Sequence, residues 1–564
     1  MEPPHREQRH PDATSRLDNG SSDLYDDVLS DTASETSSVE GGAGGREFNH
    51  DLVFIDEFDA LSIELKGLAA ATQQRPPIPS AQHAASAGPS VAQAGPSVAV
   101  DVKQRGASRV AGHEGGLKGA PKLGKYPARE HARKVAKQLG VLKGLIYLPG
   151  QVTQHYEDSD QGPAFHQRRY FYYITGANHP NCAATYDIAR DLLILWIPLV
   201  EPRQALYFGA PPSPDVLKSQ SDLSDVRYTT ELPRYLRTYL TSNATPPSGR
   251  TRRVPCPSTV FILHPDQTPP IGSDTAPGVL VLDSTRLQPA MDESRVIKSS
   301  YEIAAIRRAN AISSAAHRAV LTRLKRMTNE REIEALFRGY CLAVGGAREQ
   351  AYPVIVGSGS NGATLHYDAN DEDFVGRQTI VLDAGCEWAL YASDITRTLP
   401  VGGKLTAEGR AVYGIVERMQ ERCIGMVRPG VPYWHLQLEA VLVAIDGLLE
   451  LGILRGSRGD VFAAGTVAAF FPHGLGHHVG LDVHDVSGRE TLILGAGTAP
   501  AAGLGLAAGV GGRARRRVGA AGKREWITPE MMASMCRDAR TVAMPFKGRQ
   551  SMQVGMVVTV EPGM

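Results

Sequence analysis

The stretch FPHGLGHHVGLDVHD, residues 471–485, carries four histidines and two aspartates between glycines. Histidine is the commonest protein ligand for metals and the side chain most easily set for proton transfer near neutral pH. The stretch therefore indicates a reactive site. A hard divalent cation also needs carboxylate oxygens, so the remaining ligands must come from elsewhere in the chain.

Two aspartates that could complete such a site lie in TIVLDAGCEWALYASDITRT, residues 379–398. Side chains alternate between the faces of a strand, so Asp383 lies on one face of the first predicted strand and Asp394 on one face of the second, residues 391–398. A hairpin would aim both carboxylates inward, where they repel unless a cation or a shared proton lies between them. The alternative, that one aspartate caps a turn while the other is solvated, stays open, although the apolar residues before Asp383 favour burial.

Two further motifs each supply one polar residue. VGSGSNGATLHY, residues 356–367, is a glycine-rich loop that lets a ligand approach the backbone, and it lacks the G-K-[ST] ending of a phosphate loop. It carries His366, which taken alone is an ordinary, partly buried histidine. VGMVVTVEPGM, residues 554–564, predicts a buried apolar strand that ends at Glu561. An unpaired buried glutamate is costly, which favours a metal or a proton partner there.

Composition and charge exclude several classes of protein. The 564 residues include 60 basic and 60 acidic side chains, so a net charge of zero gives no global argument for nucleic acid or an acidic membrane surface. The sequence holds no run of about 18 apolar residues and no apolar core at its N-terminus, so we expect neither a membrane span nor a signal peptide. Six scattered cysteines without a CxxC pair indicate free thiols. We therefore expect a cytoplasmic protein that binds neither nucleic acid nor membrane.

The pattern of segments predicts three regions. Residues 1–120 are rich in Ser, Asp, Glu, Ala, Pro and Gly and predict a disordered low-complexity tail with one short helix around 51–70. Alternating strands and helices predict an α/β domain over 121–290. Residues 291–564 predict an α+β domain in which a pair of helices precedes strands twice. A Gly/Ala/Arg-rich insertion interrupts it at 495–523.

Turn and cap signals set the limits of individual elements. YFYYITG (170–176) and QALYFG (204–209) are expected to be strands because they are apolar and end at glycine. Ser299 and Glu302 form a capping-box pattern that begins a long helix. Thr328 is expected to cap the helix that follows.

Four motifs in this order, NGATLHY, VLDAGCEWALYASDITRT, PHGLGHHVGLDVHD and VTVEPG, resemble those of the metal-dependent pita-bread peptidases. The closest likeness is to the Xaa-Pro aminopeptidase and prolidase group in its fungal-type form. It runs from about residue 126 to the end, because YLPGQVTQHYEDSDQGPAFHQRRYFYYITGANHP (147–180) is similar to the N-terminal domain of that group. The resemblance implies a creatinase/aminopeptidase P-like pita-bread fold for 291–564, a metallo-exopeptidase hydrolase, and peptide substrates with proline in second position.

The resemblance also implies which residues bind metal. Asp383 is expected to hold one ion and Asp394 to bridge two. His477 and Glu561 are expected to bind the second ion. The group carries two Mn²⁺ ions per subunit, and the chemistry agrees independently, because an oxygen-rich set with one imidazole and no thiolate suits Mn²⁺ better than structural Zn²⁺.

Catalytic roles follow from the same likeness. His366 and His484 would contact the substrate and stabilise the oxyanion that forms at the scissile carbonyl, and His473 would line the same pocket. Glu561 is the best candidate to move a proton from the attacking water to the leaving nitrogen. His478 has no assigned role, and we expect it to lie at the surface or to support a ligand.

The end of the chain departs from the pattern of the group. Met564 stands three residues after Glu561, whereas the group has a further strand with a second, bridging glutamate, so we expect the second metal site to be incomplete. We expect this chain to bind at most one Mn²⁺ tightly and to hydrolyse Xaa-Pro peptides negligibly. A non-catalytic peptide-binding protein, an Xaa-Pro dipeptidase and a homodimer all stay open. A metal-free creatinase-type hydrolase is disfavoured because it would not need the aspartate pair.

Overall fold

The computed structural model describes residues 123–209, 211–244, 258–271, 280–493 and 549–564. The expected low-complexity tail, its short helix at 51–70 and the insertion at 495–523 lie outside these residues. None of the helices within the described ranges is long and apolar enough to cross a membrane.

The first half of the described chain forms an α/β domain around one six-stranded sheet. Its elements in chain order are α1 (Ala128–Leu139), β1 (Leu145–Pro149), α2 (Arg169–Thr175), β2 (Ala183–Asp187), β3 (Leu192–Ile197), α3 (Pro202–Phe208), α4 (Pro214–Gln220), β4 (Asp225–Tyr228), α5 (Leu232–Ala244), β5 (Ser258–Phe261) and β6 (Leu280–Asp283). The strand order is β4-β3-β2-β1-β5-β6. The central strands β1, β2 and β3 pair antiparallel, and the outer pairs are parallel.

Apolar side chains cover both faces of this sheet because they alternate along its strands. Ile146 and Leu193 belong to one buried cluster. Their chain neighbours Leu145 and Ile194 belong to a second cluster, which includes Leu236 of α5. A sheet buried on both faces is typical of α/β architecture, as expected for this region.

Two segments that were expected to be strands are helices. Residues 170–176 lie in α2, which packs against α1, β1 and β2, and a helix buried this fully has the same continuous apolar run as a buried strand. Gly176 ends α2 with a left-handed φ of 66°, and a side chain there would overlap the ring of Tyr126. Residues 204–209 lie in α3, which begins with a proline in its first turn. Leu206 is 83% exposed, so the apolar pattern of α3 does not reflect burial.

The second half combines helices with two small sheets. Its elements in chain order are α6 (Leu287–Val296), α7 (Ser300–Arg323), α8 (Glu330–Ala343), β7 (Glu349–Gln350), β8 (Ile355–Ser358), β9 (Thr379–Asp383), β10 (Cys386–Trp388), β11 (Tyr391–Ala392), β12 (Thr396–Pro400), α9 (Ala407–Met426), α10 (Tyr433–Glu450) and α11 (Arg458–Ala464). The sheets have the orders β12-β9-β8 and β11-β10-β7. The sequence predicts a pair of helices followed by strands twice. In the described residues regular strands follow only the first helix pair, because the segments after α11 pair through isolated bridges. Helix α6 runs across the boundary expected at 290/291 and packs on α1.

The caps of α7 and α8 test the local sequence signals. The capping box is confirmed, since the side chain of Ser299 accepts from the amide of Glu302, and the Glu302 carboxylate accepts from the amide of Ser299 at 2.7 Å. The cap of α8 is Asn329, whose side chain accepts from the amide of Arg331 at 3.0 Å. The prediction of Thr328 was wrong by one residue, because asparagine caps a helix at least as well as threonine.

A buried histidine in α7 gives a testable pH dependence of stability. His317 is 6% exposed, its Nε2 donates to the carbonyl of Ala384 at 3.0 Å, and its ring packs on Phe337. Burial lowers the pKa of His317 to about 4, against about 6.5 in an unfolded chain. Between these values the unfolded state binds the proton more tightly. The stability that neutral His317 contributes is therefore present above pH 6.5 and is lost as the pH falls towards 4.

Replacing His317 by glutamine, which keeps a donor for Ala384, should remove about 3 kcal/mol of pH dependence over that window. Urea unfolding of the metal-free protein at several pH values between 4.5 and 7 measures the change. His155 is exposed, so His155→Gln is the matched control and should keep the wild-type profile. Equal slopes for the two variants would contradict a buried, neutral His317.

Candidate metal centre

A β-hairpin brings the two aspartates together. Strands β9 and β12 pair antiparallel, with Asp383 opposite Thr396. Asp394 stands two residues before Thr396 in the sequence. Ile380 and Leu382 are buried on the other face of β9, which leaves the Asp383 face for the site. The expected hairpin is therefore confirmed, although the second strand, predicted over 391–398, is divided into β11 and β12.

A tyrosine that the sequence analysis missed joins the two carboxylates. The hydroxyl of Tyr352 lies 2.6 Å from Asp383 Oδ1 and 3.0 Å from Asp394 Oδ1. Its single hydrogen can be donated to only one of them at a time. Tyr352 comes from the segment between β7 and β8, which has no motif of its own, so no sequence signal pointed to it.

Asp394, His477 and Glu561 converge on one point. His477 Nδ1 donates to the carbonyl of His478 at 2.9 Å, which leaves Nε2 as the acceptor of the neutral ring. That Nε2 is buried without a hydrogen bond of normal geometry, and it lies 3.1 Å from Asp394 Oδ2 and 2.9 Å from Glu561 Oε1. A lone pair that faces two carboxylates is repelled by them, so the arrangement requires a cation or a proton.

The extended segment before Glu561 lies beside the histidine motif. The amide of Thr559 donates to the carbonyl of His477 at 2.9 Å, and the amide of Glu561 donates to the carbonyl of Leu475 at 2.8 Å. The side chain of Thr559 joins two of the expected ligands: it accepts from the amide of His477 at 2.9 Å and donates to Glu561 Oε1 at 3.1 Å. The approach requires Gly476, where a Cβ would lie 2.4 Å from the Thr559 carbonyl.

The end of the chain does not form the buried strand that its sequence predicts. Residues 554–564 form one isolated bridge, between Val558 and His478, rather than a regular strand. They are half-buried or exposed rather than fully buried. The segment pairs with the histidine motif through Thr559 and Glu561, and the apolar pattern overstated its burial.

His484 and His473 lie close to this cluster. Asp394, His477 and His484 each offer a ligand atom within 4.8 Å of the others, and the rings of the two histidines are 4.2 Å apart at 77°. The structure therefore groups His484 with the expected ligands, whereas the resemblance assigns it to the substrate. The half-buried His473 reaches the other side of the Glu-Pro-Gly turn, where a Cβ on Gly563 would lie 3.1 Å from its Nε2.

The remaining two histidines differ in their surroundings. His366 is exposed in a turn after β8, closed by a hydrogen bond from the amide of Tyr367 to the carbonyl of Thr364 at 3.2 Å. Among the described residues, no hydrogen bond or ion pair joins His366 to the expected ligands. His478 is buried rather than at the surface, and its Nε2 lies 2.6 Å from Gln550 Oε1. Burial lowers the pKa of His478 to about 4, so its ring is neutral and supports the strand pairing beside His477.

Charge in the cluster is unbalanced, and the donor set fits a divalent cation. Burial and the Asp394 carboxylate raise the pKa of Asp383 to about 7. Burial would lower the pKa of His477, but Asp394 and Glu561 outweigh it and raise that pKa to about 10. Two of the three carboxylates contact this imidazole, and a divalent cation would relieve the repulsion among all three. Oxygen and imidazole donors without a thiolate are the ligands of the harder divalent metals.

Comparison with known families and structures agrees with the fold. The family described as Metallopeptidase family M24 matches residues 304–564, and the family described as Aminopeptidase P, N-terminal domain matches residues 129–246. Solved structures of Escherichia coli aminopeptidase P are similar to this chain. The low-pH form has a TM-score of 0.55 and 26% identity over 66% of this chain and 85% of that chain. A zinc-substituted complex with product has a TM-score of 0.53 and 27% identity over 64% and 82%.

Curated relatives extend the similarity over most of the chain. A probable Xaa-Pro aminopeptidase of Colletotrichum graminicola is 46% identical over 91% of this chain and 86% of its own length. A probable Xaa-Pro aminopeptidase of Metarhizium acridum is 52% identical over 78% of this chain and 81% of its own length. The fold and the site thus define a two-domain, metal-dependent peptidase. The chain belongs to metallopeptidase family M24, and the expected architecture, an N-terminal α/β domain before a pita-bread domain, is confirmed.

Proposed function

We propose that this protein is an Xaa-Pro aminopeptidase, a metallo-exopeptidase that releases the first residue of peptides with proline in second position. The observation that carries the proposal is the convergence of His477, Asp394 and Glu561 beside the Asp383 hairpin in a chain whose relatives bear that name. Neither a non-catalytic binder nor a dipeptidase is favoured. A binder would have no need of three carboxylates around one imidazole, and the relatives are named aminopeptidases.

We propose manganese as the metal. The set of three carboxylates, one or two imidazoles and no thiolate supports it, since such oxygen-rich sites suit Mn²⁺ better than structural Zn²⁺. Asp383, Asp394, His477 and Glu561 would hold the metal, and His484 lies close enough to join them. A divalent metal, when bound, polarises the scissile carbonyl and makes water a nucleophile near neutral pH.

Proton transfer is proposed for Glu561. Its Oε1 is oriented by the hydroxyl of Thr559 at 3.1 Å and lies 2.9 Å from His477 Nε2. A carboxylate held in this way can accept the proton of the attacking water and donate it to the leaving imide nitrogen.

The other histidines are proposed to bind the substrate. His484, whose ring lies 4.2 Å from that of His477, and His366, which is exposed on its turn, would donate hydrogen bonds to the carbonyl oxygen as negative charge develops on it. His473, beside the Glu-Pro-Gly turn, would line the pocket for the first residue of the peptide. Their imidazoles can both donate and accept near neutral pH.

Location and assembly complete the proposal. We propose a cytoplasmic protein, supported by four buried cysteines that are free thiols: Cys182, Cys341, Cys386 and Cys423. Free buried thiols are typical of reducing compartments. A homodimer is also proposed, and light scattering of the purified protein measures its mass directly.

Substrate and metal assays test the proposed function. Because the expected ligands converge and the relatives are named aminopeptidases, we propose an active enzyme in place of the negligible hydrolysis expected from the sequence. We expect purified protein loaded with Mn²⁺ to release alanine from Ala-Pro-Ala, to cleave the dipeptide Ala-Pro more slowly, and to leave Ala-Ala-Ala intact. Chromatography measures the products, and mass spectrometry measures the bound manganese per chain. Faster cleavage of Ala-Pro than of Ala-Pro-Ala would make the protein a dipeptidase. Bound metal without hydrolysis of any of the three peptides would make it a non-catalytic binder.

A further inference from the structure

Two aspartates on either side of His484 are bound by cations from other parts of the fold. Asp482 Oδ2 accepts from Arg295 Nη2 at 2.6 Å, and Asp482 Oδ1 accepts from Arg169 Nε at 3.2 Å. Asp485 contacts the same Arg295 nitrogen, and Lys298 Nζ lies 3.0 Å from Asp485 Oδ2. The backbone of His484 is therefore anchored on both sides by charged pairs.

The anchor on the C-terminal side is buried. The side chains of Arg295 and Asp485 are 2% and 1% exposed, and that of Lys298 is fully buried. The loop also depends on Gly480, because a Cβ there would lie 2.2 Å from Asp485 Oδ2. Buried ion pairs of this kind contribute little net stability, but removing one partner leaves an uncompensated buried charge and is strongly unfavourable. This half of the anchor sets the position of residue 485.

The anchor on the N-terminal side comes from the first domain. Arg169 begins α2, and besides Asp482 it contacts Glu387 of β10, with Nη2 2.7 Å from Oε2 and Nη1 3.3 Å from Oε1. The Glu387 side chain is only 4% exposed, so it holds the guanidinium in a fixed orientation. Asp482 thus provides a charged contact between the N-terminal domain and the loop that carries His484.

We infer that Asp482 is a positioning residue, which fixes His484 in the metal centre by coupling it to Arg169 of the N-terminal domain and to Arg295. The inference rests on the proposed function, in which His484 contacts the substrate or the metal. His484 is two residues from Asp482, and a small displacement of a catalytic group lowers the rate steeply. The N-terminal domain, which supplies none of the expected ligands, would then contribute to catalysis through this contact.

Replacing Asp482 by asparagine tests the inference, because the amide keeps the shape of the side chain and removes its charge. We expect kcat to fall about 10-fold with KM within about 2-fold. Manganese content should be unchanged. The Asp482 side chain is 38% exposed, so the loss of stability should be small, about 1 kcal/mol or less. The matched control is Asp446→Asn, which breaks the exposed ion pair between Asp446 of α10 and Arg458 of α11. This variant should leave turnover unchanged.

A double-mutant cycle distinguishes positioning of His484 from a general structural effect. Asp482→Asn should cost no further activity in a His484→Ala background, because its effect is transmitted through the missing imidazole. Additive losses would overturn the inference. The metal-free protein gives a second test: with ¹³C-labelled histidines, the Cε1 resonance of His484, identified by its absence in His484→Ala, should shift or broaden in Asp482→Asn and not in Asp446→Asn.

The two tests separate the inference from the proposed function. If the wild-type protein shows no Xaa-Pro turnover, the proposed function fails, and the resonance of His484 still decides whether Asp482 positions it. If turnover is present and the His484 resonance is unchanged in Asp482→Asn, the inference fails while the proposed function stands.

Discussion

Asp394→Asn should lower Xaa-Pro turnover by about 10³-fold or more and abolish tight metal binding. Asp394 is the centre of the cluster: Oδ2 lies 3.1 Å from His477 Nε2, and Oδ1 accepts from Tyr352 at 3.0 Å. Its side chain is only 8% exposed, so water cannot readily take its place as a ligand. Losing a charged metal ligand forfeits several kcal/mol of transition-state stabilisation, and each 1.4 kcal/mol corresponds to a factor of ten in rate.

The same substitution should leave the stability of the metal-free protein close to that of the wild type, because it removes one repulsion and one attraction. After burial, the Asp394 carboxylate is the main cause of the raised pKa of Asp383, so the two carboxylates repel each other without a cation. Against the effect of burial, Asp394 also raises the pKa of His477, whose Nε2 lies 3.1 Å from it, and this attraction is lost as well. A small change in stability together with a loss of metal binding is the signature of a ligand, since an aspartate with only a structural role would destabilise the fold on removal and leave metal binding unchanged.

The measurements are manganese content per chain, turnover and urea unfolding. They are made on Asp394→Asn and on the surface control Asp446→Asn. Tight metal binding or turnover within about 10-fold of wild type in Asp394→Asn would contradict the assignment of this carboxylate as a ligand. Loss of stability without loss of metal would make Asp394 a structural residue of the hairpin.

The positions of the proposed ligands could be predicted from sequence because each stands at a point where the local pattern restricts its side chain. Alternation along β9 places Asp383 on the face opposite the buried Leu382, and the hairpin returns the chain to Asp394. The glycines around His477 permit the close approach of Thr559, as at Gly476. These features are local, and local features are what a sequence shows directly.

The supporting residues could not be predicted because they come from distant segments without a pattern. Tyr352 is 31 residues before Asp383, and Arg295 is 190 residues before Asp485. Nothing near Tyr352 distinguishes it from an ordinary buried tyrosine. Long-range pairs of this kind are fixed by tertiary packing, which a single sequence does not specify.

The position of His366 depends on one buried carboxylate. Glu330, at the start of α8, is fully buried and accepts from the amide and hydroxyl of Ser358 at 2.8 and 2.7 Å. It also accepts from the hydroxyl of Tyr367 at 2.7 Å. These bonds hold the glycine-rich segment on either side of His366 while the ring itself stays exposed. An exposed ring on a fixed backbone is typical of a donor that meets a substrate and not of a buried metal ligand.

His366→Ala should therefore lower turnover of Ala-Pro-Ala by about 10²-fold, the effect of removing one donor to a developing oxyanion. Manganese content should stay at the wild-type level, because among the described residues no hydrogen bond or ion pair links His366 to Asp394 or His477. His155→Ala, which removes another exposed histidine, is the control and should retain full activity. Loss of manganese in His366→Ala would make His366 a ligand, and unchanged turnover would remove it from the site. Stabilisation of the developing charge predicts a lower kcat with bound metal intact, since the missing interaction forms only in the transition state.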